Sequence, residues 1–278
     1  MRVGIVTDSA ATLPPELASG NEVEVVPMEV TIAGRSNGDR RVPLREVLRH
    51  LDDGVRTSSP SPGRFSSAIK QAQAGDGVLV LTVARSMSGT FQVATLAARR
   101  ADGPTEVLDT GTAAGGEGLV VLAAARAAAA GRPLDEVAEA ARRAADGIRL
   151  VATLDDLRQL VAGGRLPKVV GWLAGLLGVR PLFEFRGGSI HPLPPALSHR
   201  AARRRMLARW RRSQPSGPAT LHVAALHAMD REGAERLLDA VRAEASPATA
   251  FIGEFDAVMV AHTGPGLEGL AWWWEPGG

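Results

Sequence analysis

Short apolar runs and amphipathic stretches alternate along the first half of this chain. Runs at 3–6, 23–26, 29–32, 78–83 and 105–108 have the length and β-branched content of strands. The run at 78–83, VLVLTV, is unbroken, the pattern of a strand covered on both faces. Between these runs, residues 43–51, 64–72, 90–100 and 118–130 read as helices. Strands separated by helices predict βαβ units and a parallel sheet. Residues 134–145 bring Leu134, Val137, Ala138 and Ala141 onto one face, the stripe of an amphipathic helix.

Beyond Gly147 the pattern changes. Thr153-Leu154-Asp155-Asp156 resembles a helix cap, with Gly163-Gly164 closing that helix. Residues 169–177 read as a short apolar helix. Two strands, 179–185 and 189–193, flank Arg186-Gly187-Gly188 as a hairpin. Further strands at 220–226 and 257–261 surround a helix at 231–245. The expected fold is therefore α/β in two domains. Residues 1–150 form an N-terminal Rossmann-like domain with a parallel sheet. Residues 151–278 form a C-terminal α+β domain with a mixed or antiparallel sheet.

Composition narrows the chemistry. A length of 278 residues, 45% hydrophobic and 22% charged, suits a globular protein with a sizeable core. The absence of cysteine excludes a disulfide framework, a thiol nucleophile and a zinc–cysteine site. A net charge of +2 gives no long-range field for gathering nucleic acid. The opening MRVGIVTD reads as a first strand and not as a signal peptide, and the longest apolar run, 169–179, falls short of the roughly 20 residues a bilayer span needs. A soluble, cytoplasmic protein without stable membrane insertion is expected.

Three loops gather small hydroxyls or an imidazole beside Gly or Pro: Thr57-Ser58-Ser59-Pro60-Ser61-Pro62, Ser86-Met87-Ser88-Gly89-Thr90, and His262-Thr263-Gly264-Pro265-Gly266. The second follows the most strand-like run, and ligands of open parallel sheets bind beyond the carboxyl ends of strands. Free N–H groups at helix starts favour an anion. No Lys or Arg lies inside the three loops, so their donors are neutral. Ser61 and Pro62 also suit a simple helix entry. The candidate ligand-binding residues are Thr57, Ser58, Ser88, Gly89, Thr90, His262 and Thr263. A Ser88–His262–Asp109 triad is permitted by residue type, but no GxSxG elbow surrounds Ser88. The remaining histidines are scattered, and neither a metal nor a cofactor is expected. Residues 199–212 carry seven arginines, with Ala202, Met206 and Trp210 four apart, which predicts an amphipathic helix with an arginine-rich outer face.

The ordered set Thr7-Asp8-Ser9, the Thr57 loop, Ser88-Gly89-Thr90-Phe91-Gln92, Leu108-Asp109-Thr110, Gly163-Gly164-Arg165-Leu166, the Pro181 strand and His262-Thr263-Gly264-Pro265-Gly266 resembles the DegV family of bacterial fatty-acid-binding proteins. The resemblance runs over essentially the whole chain. It implies a long-chain fatty acid as ligand, its carboxylate held by Thr57, Ser88 and His262. It also implies a separate ATP-dependent fatty acid kinase subunit as partner, engaged near Arg200 and Arg203, with no catalysis by this chain alone. The alternatives are a serine hydrolase acting on a lipid-like ester, and a binding module for an acidic macromolecule.

Overall fold

A computed structural model describes residues 2–277 apart from Asp53, Ala74, Asp156 and 166–178. The expected helix at 169–177 lies outside the described residues. Thirteen strands are present among the described residues. In order they are β1 (Gly4–Asp8), β2 (Val23–Val26), β3 (Glu29–Ile32), β4 (Arg35–Gly38), β5 (Arg56–Ser58), β6 (Val78–Thr82) and β7 (Thr105–Asp109). The second half supplies β8 (Arg149–Thr153), β9 (Arg180–Arg186), β10 (Ser189–Ala196), β11 (Ala219–His227), β12 (Thr249–Glu254) and β13 (Glu268–Pro276).

They form three sheets. A parallel sheet runs β2-β1-β6-β7, as the βαβ reading of the first half requires. Its inner strands β1 and β6 are buried along their whole length. A mixed sheet runs β10-β9-β8-β13-β11-β12, antiparallel throughout except for the β11–β12 pair, which the helix Arg231–Arg242 connects. A small antiparallel sheet, β4-β3-β5, leaves the parallel sheet beside Pro27.

Several expectations about the second half are corrected. Residues 257–261 are not a strand but part of a helix, Ala257–Thr263, ended by Gly264 at φ 69°, whose N–H reaches the Val260 carbonyl at 2.8 Å. A five-residue apolar run has no periodicity that separates strand from helix, and the glycine stop decides it. The strand comes later as β13, a central strand whose three consecutive tryptophans lie along its pairing with β11, while its first half pairs with β8. Thr153 caps no helix. It ends β8 and its hydroxyl donates to the Pro181 carbonyl at 2.7 Å, while the helix runs Arg158–Ala162.

The two large sheets share one helix. Ala114–Ala129 is apolar nearly all round and buried along most of its length, and it lies against both β1 and the β11–β13 pair. Its glycine-rich first turns permit that contact. A Cβ on Gly118 would stand 2.7 Å from the Ala11 carbonyl oxygen, and one on Gly115 would stand 2.6 Å from Ala224 Cβ. Gly118→Ala is expected to destabilise the fold by about 1–3 kcal/mol despite alanine's better helix propensity, because a backbone oxygen cannot yield as a side chain can. Chemical denaturation measures this directly.

The helix His199–Arg212 buries Ala202, Met206 and Trp210 as expected. Its arginines are not all on an outer face, however. Arg203 reaches both oxygens of the buried Glu268 at 2.9 and 3.0 Å, and Arg209 reaches Glu184 at 3.1 Å. Buried carboxylates draw these guanidinium groups inward, while Arg200 and Arg204 stay exposed.

Candidate functional site

All three loops converge on one cavity of about 290 Å³ among the described residues. Its walls are mostly apolar, with Phe183 and Phe185 of β9, Leu150 and Ala152 of β8, and Leu226 of β11 among them. Met28, Met87 and Met259 complete other parts of the lining. Polar groups sit together at one part of the wall.

The Thr57 loop begins as β5, whose pairing with β3 sets Thr57 opposite Val30. Ser61 caps the helix Pro62–Ala72 by accepting from the Arg64 N–H, so the helix-entry reading holds for Ser61 and Pro62. Thr57 does something else. Its hydroxyl lies 2.9 Å from Nε2 of His262, joining residues far apart in sequence. Ser88 leads into the helix Thr90–Ala98, with Gly89 at the cap position. The Ser88 hydroxyl lies 2.8 Å from that of Thr90 and 3.2 Å from that of Ser59, and Thr90 donates to Ser59 at 3.3 Å. Thr57, Ser58, Ser88, Gly89, His262 and Thr263 all line the cavity, and Thr90 is buried behind them. The hydroxyl of Thr263 is spent on the carbonyls of Met259 and Gly264. It contributes wall and not donor.

His262 occupies the last turn of its helix, not a strand end, so no positive helix terminus stands behind it. Burial, assisted by the nearby Arg165 guanidinium, lowers its pKa to about 4. The imidazole is neutral at pH 7 and carries one donor and one acceptor nitrogen.

Arg165 changes the picture drawn from the loops. It lines the same cavity, donating Nε–H to the Met87 carbonyl at 3.2 Å, with a second bond to the Gly163 carbonyl. Burial lowers its pKa from the ordinary value, and a guanidinium stays charged in proteins. The site therefore includes one cation that the three loops do not carry. Its signal in the sequence was the Gly163-Gly164-Arg165 triplet, which names the residue without showing that the chain folds it into the cavity wall.

No catalytic alignment joins Ser88 to His262. His262 is paired with Thr57, Ser88 with other hydroxyls, and Asp109 with the Arg85 guanidinium and the N–H groups of Arg85 and Gly111.

The cavity floor explains the Thr7-Asp8-Ser9 motif. Asp8 accepts from the Val83 N–H at 3.0 Å and the Ala10 N–H at 2.9 Å, and Val83 and Ala10 both line the cavity. The Ser9 hydroxyl accepts from Met28 N–H and donates to Asp39 at 2.6 Å. Desolvation by burial raises Asp8 to about 7 and Asp39 to about 6. Glu117 of the shared helix faces Asp8 and accepts from Thr7 at 3.2 Å, while its second oxygen finds no donor. Burial first, and then the neighbouring Asp8 charge, raise Glu117 well above the carboxylate range. Burial and mutual repulsion both oppose ionising the two carboxyl groups together.

An α/β scaffold of this kind, with a mostly apolar cavity whose wall carries hydroxyls, a neutral imidazole and one guanidinium, defines a receptor for an apolar molecule with a polar or anionic head. Residues 2–275 match the family described as uncharacterised protein, DegV family, and the chain belongs to that family. A DegV domain-containing protein of Streptomyces coelicolor is 34% identical over 277 residues, covering 96% of this chain and 97% of its own. A fatty acid-binding protein of Thermotoga maritima is 28% identical over 280 residues, covering 97% of each chain. Among solved structures, a DegV family protein of Thermus thermophilus described for its fatty acid binding superposes with a TM-score of 0.90 at 30% identity, covering 99% of this chain and 100% of that one. Among the described residues, no helix is long and apolar enough to cross a membrane.

Proposed function

We propose that this protein binds a long-chain fatty acid in the cavity and presents its carboxylate to a separate, ATP-dependent fatty acid kinase subunit, which converts it to an acyl phosphate. The observation that carries the reading is the gathering of Thr57, Ser88 and His262 in the wall of a mostly apolar cavity. Residues 1–150 and 151–278 are taken as two domains, with loops from both around the head group.

The tail supplies most of the affinity. Burying each methylene contributes about 0.8 kcal/mol, so ~14 methylenes give on the order of 11 kcal/mol before association costs. Thr57, Ser88 and His262 orient the head, and Arg165 adds attraction for the carboxylate. The three loops themselves supply only neutral donors, which leave the carboxylate oxygens more of their nucleophilic character toward a phosphoryl donor than further cations would. Arg200, exposed on the first turn of its helix, is the surface group proposed to meet the kinase. Arg203, assigned to the same contact by resemblance, acts there through its hold on Glu268.

Mass spectrometry of the denatured, extracted protein should recover a long-chain acid, and its absence sinks the reading. Across a series of saturated acids, affinity should rise about four-fold per methylene until the cavity is filled. Ser88→Ala should weaken binding by about two- to ten-fold, the worth of one hydrogen bond to a charged or neutral acceptor. The presentation step has its own assay. Arg200→Ala should slow acyl phosphate formation by the kinase with ATP while lipid retention stays as in the wild type.

A further inference from the structure

Asp109 does not line the cavity, yet its carboxylate organises a place where the two halves of the chain meet. It ends β7, and its side chain is mostly buried. Its Oδ1 accepts from the Arg85 N–H at 3.2 Å and from the Gly111 N–H at 2.9 Å. One oxygen thereby fixes the two turns that follow β6 and β7. Its Oδ2 meets Arg85 Nε at 2.8 Å, and that guanidinium lies over the Phe91 ring. The two turns together hold a third piece of chain. Ser86 Oγ donates to the Gly188 carbonyl, and the Gly188 N–H donates to the Gly111 carbonyl at 2.7 Å. Gly188 belongs to the tip of the β9–β10 hairpin and has φ 71°, a backbone that favours glycine.

The hairpin needs such a hold. β10 is the edge of the mixed sheet, and its three prolines have no N–H to offer a partner. Arg205 grips its far end at the carbonyls of Pro194 and Pro195. At the near end, β8 pairs with β9 only as far as Phe185, so the tip extends past the support of the sheet. Ile190, two residues beyond Gly188, pairs with Phe185, and both side chains line the cavity. The dock at Gly188 therefore holds one end of the cavity wall in place.

We propose that Asp109 is a positioning residue for lipid retention, keeping the hairpin tip docked so that Phe185 and Ile190 stay against the acyl chain. The inference rests on the fatty acid reading for its ligand, though not for the dock itself. Without the carboxylate, the N–H groups of Arg85 and Gly111 lose their common acceptor, and the two turns no longer hold one geometry. The contacts to Gly188 then open more often, and the edge strand moves outward while the sheets stay together. Thr57 and His262 keep their own contact throughout, so the change falls on release of the chain.

The test compares Asp109→Ala with Asp109→Asn in the full-length protein. The amide oxygen of asparagine still accepts from both N–H groups, whereas alanine offers them nothing. Asp109→Ala should speed the dissociation of a fluorescent long-chain acid, such as cis-parinaric acid, by about ten-fold. Asp109→Asn should stay within about three-fold of the wild type, although it has lost the ion pair with Arg85. Hydrogen exchange at the Gly188 N–H, read on ligand-stripped protein, should quicken by about ten-fold in the alanine variant and little in the asparagine one. Ser86→Ala removes one exposed hydroxyl and should raise both rates by about three-fold, so the dock is tested even if Asp109→Ala folds poorly. Equal behaviour of the alanine and asparagine variants overturns the proposal, as does faster exchange at Gly188 with unchanged dissociation. A wild type that holds no long-chain acid overturns the ligand reading and the retention role together. Normal binding that is indifferent to all three substitutions overturns this inference alone.

Discussion

Ala152→Trp should abolish retention of long-chain ligands, lowering affinity by about two orders of magnitude or more. Ala152 sits on β8 with its side chain in the cavity wall, across from Phe183 on β9 and against Gly269 on β13. An indole there occupies space the acyl chain requires. Excluding about four methylenes forfeits roughly 3 kcal/mol, a little more than a hundred-fold in Kd. The head-group residues are untouched, so short-chain acids should bind almost as before. That split between long and short ligands distinguishes a filled cavity from a damaged fold, and calorimetry with acids of two lengths measures it. Equal loss for both lengths would place the alkyl chain elsewhere.

Glu117→Gln should make the protein markedly more stable at alkaline pH. The sign follows from the raised pKa values of the buried carboxyls. In the unfolded chain Asp8 and Glu117 release their protons near pH 4, whereas the folded protein retains them until much higher pH. The unfolded state is therefore the more readily deprotonated one, and stability falls as pH rises from about 4 through 7 and beyond. For Asp8 alone, a rise from 3.8 to about 7 corresponds to on the order of 4 kcal/mol of lost stability above neutrality. His262 contributes with the opposite sign, since its lowered pKa costs stability as pH falls from about 6.5 toward 4. A comparison between pH 7 and 9 therefore isolates the acids. The amide introduced by Glu117→Gln would donate to Asp8 and still accept from Thr7, leaving an ionised Asp8 with a partner. The wild-type melting temperature should fall across that range while the variant's stays level, and the two should nearly coincide at pH 4.5. A wild-type melting temperature constant from pH 7 to 9 would mean that Glu117 is ionised in the folded state.

The parallel sheet was legible because a buried strand such as β6 leaves an unmistakable record: five residues, VLVLT, with no polar side chain but the last. The segments 149–153 and 249–254 were less legible. Each is short, and each becomes a strand through pairing with a neighbour distant in sequence. β4 and β5 carry no large apolar side chain and are strands because β3 pairs with both. The apolar run beside His262 contained nothing to separate helix from strand until Gly264 ended it. At the site, the residues that touch the cavity were visible as hydroxyl-rich loops, because turn chemistry is local. Arg165 and the buried Asp8–Glu117 pair were not. Their importance arises from which backbone passes above them, and no local spacing encodes that. Arg203 and Arg209 escaped for the same reason, since the carboxylates that draw them inward lie on other strands.

Because one helix, Ala114–Ala129, belongs to the interior of both large sheets, the sheets cannot part like jaws around a bulkier guest without exposing it. Accommodation has to come from the wall itself. Met28, Met87 and Met259 are the side chains fitted for that, since an unbranched thioether changes rotamer cheaply and reshapes the space beside it. The receptor would then behave less as a clamp of adjustable width than as a rigid frame with a pliable lining. Its tolerance for bends and double bonds would reside in three sulfur-bearing residues.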